Sequence, residues 1–540
     1  MSCHHLRVAS DDKSADPASG STFLEVERTF VADATTQPPD LVGGEVAEVR
    51  EVEEVDLSAT YFDTPDLRLV RARITLRRRK GGGDQGWHIK VAAADGARLE
   101  LHRALTRSAR PPLAVRRLVR GVVRDAELVP VAQVDTTRRR LHLLDAEGTV
   151  LAELARDDVT ARRLLDAQAV RPDDRGGSGS GHAEPAPEQR WHELELELVD
   201  GGPAVLQHVT DRFSRAGIAV SASQSKLRTA LGDLAPAEPV RPTAKSTAGE
   251  VVQAYLQEQW GALLRQDVVL RTAPPDGVHQ KRIAARRVRS AVAAYRTLFD
   301  PAQARLLEDE LRWLGRELSA ARDVQVTEAL LSAELNDGDA QLAGSTATRR
   351  LAHRVMRARH RDASAHVIDL LRSDHYLQML DEVAAGIAAP MTGRAARPAP
   401  RELRRRIRKT HRRVVRRWAA ARKAPADERA ELLHSARKAA KRLRYACEVA
   451  EPALGKRARR LRLRAKALAS ALGEVQDALV LQQTAVELVS EAAGHRSAGE
   501  VSFLLGRLHA RLDVQIEHLH ADAVTAARRV QSRKVAGWLG

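Results

Sequence analysis

A chain of 540 residues is long enough for two or three domains, each able to bury its own core. Its 88 Lys and Arg against 71 Asp and Glu leave a net charge of +17, which calls for an anionic partner. Two cysteines, Cys3 and Cys447, exclude a disulfide framework or a thiolate zinc cluster. No apolar run of about 18 residues marks a membrane span, and the N-terminus lacks an apolar leader, so a soluble, cytoplasmic protein is expected.

Residues 1–20 are polar and expected to be disordered. From 21 to 234, short alternating runs such as EEVDLSATYFDT, ARITLRRRK, GWHIKVAA and HELELELVDG predict strands, punctuated by Gly and Asp. RPDDRGGSGSGHAEPAPEQR, residues 171–190, reads as a flexible insertion between two of them, and residues 235–249 read as a linker. Beyond 250 the chain turns to Ala/Leu/Arg-rich stretches without turn signals, which predict helices to about residue 535. APMTGRAARPAP, residues 389–400, divides that half in two. The charge divides as well. Residues 251–540 carry 53 basic against 32 acidic residues, whereas residues 1–250 carry 35 against 39.

Like charges alternate along the strands of the first half. Glu25 and Glu27 in FLEVERTF share one strand face, as do Glu193, Glu195 and Glu197 in HELELELVDG, and Glu153 can share one with Asp157. Basic residues alternate likewise: Arg77 and Arg79, Lys90, Arg138 and Arg140, and Lys226 and Arg228. Acidic strands beside basic ones suit the lined interior of a barrel. Carboxylates in a water-poor interior must be paired or hold a cation. Hard oxygen ligands choose Mg2+, Mn2+ or Ca2+, while Arg and Lys supply phosphate contacts.

The helical half contains a repeat. VHQKRIAARRVRS carries His279, Arg282, Arg286, Arg287 and Arg289; LHSARKAAKRLRY carries His434, Arg437, Lys441, Arg442 and Arg444 at the same offsets. Each copy is followed by a Leu-Gly pair and an acid: Leu314, Gly315 and Asp323, then Leu472, Gly473 and Asp477. Offsets 0, 3, 7 and 10 fall within an arc of roughly 80° on a helix, so each copy presents a stripe of cations. Arg405 and Arg412, in RELRRRIRKTHRRVVRRW, add to this charge. Such stripes repel themselves unless an anion neutralises them. Nucleic acid is the generic partner. An aromatic content of 3% leaves few platforms for stacking single-stranded bases, and no helix-turn-helix or zinc-finger pattern stands out.

FLEVERTF resembles the ExExK signature of the CYTH family, the triphosphate tunnel metalloenzymes. YFDTPDLRLVRARITLRRRKGGGDQGWHIKV resembles that family's most characteristic stretch, and VDTTRRR, LAELARDDVTA, HELELELVDG and SQSKLRTAL follow in family order. The resemblance spans residues 21–234 and implies an eight-stranded antiparallel tunnel. It implies Mg2+ or Mn2+ on the acidic residues named above and a triphosphate on the basic ones. Members include inorganic triphosphatases, thiamine triphosphatases and class IV adenylate cyclases. Nothing here reads as a nucleobase pocket, so hydrolysis of inorganic triphosphate or polyphosphate is expected. The last signature position is lysine in the family and Thr29 here, uncharged and a poor base. A tunnel that only binds, in a polyphosphate-binding or granule-associated protein, is the rival expectation.

Residues 250–535 resemble the CHAD domain, a companion of CYTH, through the two histidine-headed motifs. The resemblance implies two four-helix bundles about a pseudo-two-fold axis, with a basic groove for inorganic polyphosphate. The expected fold is therefore α+β in two domains, and nucleic acid becomes the secondary partner.

Overall fold

The computed structural model describes residues 21–93, 96–165, 187–223, 225–272, 274–336, 342 and 344–540. The leading segment 1–20 and residues 171–186 of the expected insertion lie outside the described residues. The chain divides into two compact units between Glu238 and Pro239.

The first unit is built on strands β1 (Thr22–Glu25), β2 (Glu27–Ala32), β3 (Glu48–Asp63), β4 (Ile74–Lys80), β5 (Gly86–Ala92), β6 (Arg98–Ala104), β7 (Val129–Leu144), β8 (Val150–Arg163) and β9 (Gln189–Leu198). Their order is β1-β6-β5-β4-β3-β7-β8-β9-β2, antiparallel throughout. Nine strands, not eight, form the sheet among the described residues, because FLEVERTF is broken at Val26. Its first half pairs Glu25 with Arg98 and its second pairs Glu27 with Glu197, at opposite ends of the order. Val26 accepts the Leu198 N–H at 3.0 Å. The broken strand thus joins the two edges and closes the sheet into a tunnel.

Four helices complete this unit: α1 (Arg68–Arg71), α2 (Leu113–Val123), α3 (Pro203–Arg215) and α4 (Lys226–Leu231). The outward alternates of β2, β8 and β9 bury Phe30, Leu154, Leu194 and Leu196 against Val205, Val209 and Phe213 of α3. Phe30 meets Phe213 edge-on, with ring centroids 4.6 Å apart. Within SQSKLRTAL, Lys226–Leu231 is helical rather than a strand. Ser225 caps α4 by accepting the Arg228 N–H, and Gly232, at φ 57°, ends it. Leu227, Ala230 and Leu231 pack with Tyr61, Val131, Val134 and Val159, so α4 sits against the barrel wall.

Asp63, in the YFDTPDLRL stretch, is fully buried and accepts the backbone N–H groups of Thr64, Leu69 and Val70 at 2.7, 2.9 and 3.0 Å. It ties the end of β3 to α1. Asp63→Ala strands three buried donors, each costing about 1–3 kcal/mol. A clearly lower urea midpoint for the first unit is expected, with Asp63→Asn in between; a midpoint unchanged from wild type would remove this role.

The second unit is helical: α5 (Ala248–Thr272), α6 (Pro274–Tyr295), α7 (Pro301–Glu317), α8 (Ser319–Asn336), α9 (Ser345–Arg372), α10 (Asp374–Ala388), α11 (Ala399–Lys423), α12 (Ala426–Glu491) and α13 (Ala498–Gln531). Gly455, at φ 56° just after Pro452, breaks α12 into two helices. The two motifs accordingly occupy α6 and the first part of α12. The halves are not two sealed bundles. One apolar cluster joins Leu331 of α8 and Met356 of α9 to Leu481 of α12 and Leu508 of α13. The Leu-Gly pairs are not equivalent either. Arg282 donates to the carbonyls of Leu318 and Ser319, whereas Arg437 packs on Gly473, where a Cβ would lie 3.0 Å from its Nη2. The counterpart of Leu472-Gly473 is therefore Leu318-Ser319.

Candidate tunnel site and basic cluster

The inward alternates of the barrel line a cavity of about 1080 Å³. Glu25 and Glu27, Arg77 and Arg79, Lys90, Arg138 and Arg140, Glu153, Glu195 and Glu197 all face it, with Lys226 and Arg228 of α4. Asp157 and Glu193 are buried beside it. Strand alternation brings these residues together from β1, β2, β4, β5, β7, β8 and β9.

Two charge clusters result. In the first, Lys90 Nζ lies 2.6 Å from Glu25, 3.6 Å from Glu27 and 3.4 Å from Glu100, while Arg98 pairs with Glu27. Burial lowers the Lys90 pKa, but Glu27 and Glu25 outweigh it and hold the ammonium up at about 12. Burial raises Glu25 to about 8, with Lys90 opposing and Glu27 adding to the rise. Burial likewise raises Glu197 to about 7, with Lys90 opposing and Glu27 and Glu195 adding to the rise. Glu25 Oε2 is buried without a hydrogen-bond partner among the described residues. Hard carboxylates with one orphaned oxygen and too little positive charge are a donor set that fits a divalent ion.

In the second cluster, Asp157, Glu193 and Glu195 bring carboxylate oxygens within 4.8 Å of one another. Lys226 Nζ reaches them at 2.9, 2.5 and 2.6 Å, and Arg138 forks onto Asp157 at 2.8 and 2.7 Å. Against burial, Lys226 and Arg138 hold Glu195 well below the usual carboxylate range. Here the chain supplies its own cations. Lys226→Met leaves three carboxylates to one guanidinium, so a lower Tm is expected, restored at least in part by millimolar Mg2+ or Mn2+. A variant as stable as wild type without metal would deny Lys226 this part.

The remaining tunnel residues are less tightly held. Arg77 is 3.5 Å from the Tyr61 hydroxyl and 4.0 Å from Glu100. Burial, then Arg77, lowers Arg79 to about 9, and Asp84 pairs with it from a glycine-rich loop. Arg140 and His142 meet Glu153 at 3.6 and 3.3 Å. Arg228 leaves the barrel pattern and binds Glu238 at 3.3 Å. Thr29 is 2% exposed and stands in register opposite Glu195, but it does not line the cavity. Sequence reasoning missed Arg98 and Glu100, which alternate in RLELHRA and form a carboxylate–guanidinium face of their own.

In the helical unit the two stripes meet. Arg282 and Arg286 of α6 and Arg437 and Lys441 of α12 act on one another electrostatically, with Asp323 and Asp477 as partial counter-charges. Arg282 is 3.5 Å from Asp323. Burial, then Arg437 and Arg286, lowers Lys441 to about 7. Burial and the neighbouring cations also lower His279 and His434, which leaves them poor candidates for charged groups near neutral pH. Other members of the motifs lie elsewhere. Arg287 pairs with Glu448 at 3.1 Å, and Arg444 stacks over Tyr445 at 5.2 Å. Arg289 and Arg442 form a flank together with Arg312 and Arg413. Arg405 and Arg412 are exposed on α11. Arg322 of α8, beside His279 and Arg286, had no repeat signal to mark it.

Residues 24–230 match the CYTH domain and residues 254–486 match the CHAD domain. Two Mycobacterium tuberculosis proteins, uncharacterized protein MT2285 (strain CDC 1551 / Oshkosh) and uncharacterized protein Rv2226 (strain H37Rv), are each 34% identical over 500 residues, covering 90% of this chain and 92% of theirs. PptA from Streptomyces chartreusis is 21% identical with a TM-score of 0.45, over 52% of this chain and 99% of its own. The CHAD domain from the plant Ricinus communis is 24% identical with a TM-score of 0.41, over 53% and 95%. No helix among the described residues is long and apolar enough to cross a membrane. A CYTH tunnel followed in sequence by a CHAD helical unit, in one chain and alike along almost its whole length to the mycobacterial proteins, makes this protein a member of the CYTH–CHAD family.

Proposed function

We propose that the tunnel hydrolyses inorganic triphosphate, or the end of a polyphosphate chain, with Mg2+ or Mn2+, and that the basic cluster of the helical unit holds polyphosphate. The observation that carries this reading is one cavity in which Arg77, Arg79, Lys90, Arg138 and Arg140 face Glu25, Glu27 and Glu197. Guanidinium forks match phosphate oxygens, and a row of them along a narrow tunnel matches a linear anhydride. Glu25, Glu27 and Glu197 would hold the divalent ion, whose chemistry is to neutralise phosphate charge and acidify a water. Arg77 and Arg79 bind and orient the phosphate oxygens. Glu100, bonded to His88 Nδ1 at 2.5 Å, steadies Lys90 and Arg77 beside them. Phosphate release from tripolyphosphate with Mg2+ or Mn2+, compared with ATP and with chelator, tests the reading; release that needs metal and prefers tripolyphosphate is expected.

A second reading, a tunnel that binds without turnover, is favoured by Thr29, which is neutral and outside the cavity lining. Tight tripolyphosphate binding with no phosphate release would select it.

A further inference from the structure

One strongly charged surface is left out of both sites. Helix α11 exposes ten Arg and Lys side chains between Arg401 and Lys423. Its opposite face buries Leu403, Ile407, Val414 and Trp418 in the bundle. Its single acid, Glu402, is buried and bonded to Arg406. None of the ten exposed cations is paired with an Asp or Glu side chain among the described residues. The surface continues sideways. His411 Nε2–H donates to the Val530 carbonyl at 3.1 Å near the end of α13, where Arg528, Arg529, Arg533 and Lys534 are exposed.

The shape of this charge selects its partner. At 1.5 Å and 100° per residue, the ten cations extend about 33 Å and cover an arc of roughly 220°. A linear polyphosphate lying along a helix meets one narrow stripe, which leaves most of that arc unused. The two backbones that flank a groove of duplex nucleic acid meet both sides of a helix at once. Insertion into a membrane surface would demand an exposed apolar face, and the apolar face of α11 is spent in the core. Arginine and lysine without interleaved aromatics suit phosphate contacts, not stacking on single strands.

We propose that α11, with the adjoining end of α13, is a sequence-independent docking surface for double-stranded nucleic acid, separate from the inner cluster of Arg282, Arg286, Arg437 and Lys441. The test uses the full chain, a 24-base-pair duplex and long-chain polyphosphate, with binding followed as salt is raised. Lys409, Arg413, Arg416 and Arg417 are changed together to Gln; all four are exposed, so the fold is not at risk. Duplex affinity is expected to fall by about 100-fold or more near 0.15 M salt, and the log–log salt slope to become shallower by about 3–4. Alanine at the four inner positions is expected to spare duplex binding and weaken polyphosphate binding. Three results would each overturn the proposal: duplex binding unchanged in the Gln variant, duplex binding lost in the inner variant, or equal loss of binding to anionic vesicles and duplex in the Gln variant.

Discussion

Glu25→Gln and Glu27→Gln are each expected to lower metal-dependent phosphate release from tripolyphosphate by about 100-fold or more, while polyphosphate retention by the helical unit stays near wild type. Each substitution keeps the shape and removes a carboxylate oxygen that could ligate the ion beside Lys90. Proton linkage gives an independent readout. Folding lifts Glu25 from an ordinary 4.5 to about 8 and Glu197 to about 7. Between these values the metal-free fold holds protons that the unfolded chain has released, so this pair contributes stability that is lost as pH rises through 7 and 8. A divalent ion must displace the same protons. Metal binding should therefore release protons near pH 7 and tighten from pH 6 to 8, as calorimetry in buffers of different ionisation enthalpy measures. Metal binding by Glu25→Gln with undiminished proton release would move the metal elsewhere; loss of polyphosphate retention along with hydrolysis would merge the two sites.

The division of labour in the tunnel was legible because strands alternate. Once FLEVERTF and HELELELVDG are strands, Glu25, Glu27, Glu195 and Glu197 must share a face, and the register of Glu27 with Glu197 follows that pattern. The break at Val26 was not legible, because it answers to closure of the barrel and not to any local turn residue. Lys226 and Arg228 were read in a period of two, but the run is short and Ser225 caps it as a helix. That change matters to the chemistry, since only a helix standing against the barrel delivers the Lys226 ammonium to three carboxylates. In the helical half, repetition exposed both stripes. It could not sort their members, because the sorting is done by partners distant in sequence: Glu448 takes Arg287, while Arg437 and Lys441 come to face Arg286. Exposure separates a third group, on α11, that composition alone had merged with the stripes.

Replacing Arg282, Arg286, Arg437 and Lys441 together with Ala is expected to cost the full chain most of its affinity for long-chain polyphosphate. The log–log salt slope should become shallower by about 3, from roughly 0.7 per contact on a flexible single strand. The inner cluster should also make binding depend on pH. Burial, Arg437 and Arg286 bring Lys441 down from 10.5 to about 7, so in the free protein it is largely neutral at pH 8. A polyanion laid against it favours the ammonium, and binding takes up a proton. Affinity should therefore weaken as pH rises through 7 towards 8.5, by up to about tenfold per pH unit for one proton. His279 and His434, depressed by burial and the same cations, would add to this only at lower pH. Lys441→Arg keeps the charge at every pH and should flatten the profile above pH 7 while sparing affinity at pH 6. A profile as steep in the Arg variant as in wild type would assign the titration to another group, and a quadruple variant that binds as tightly as wild type would leave these four residues as an ordinary solvated face.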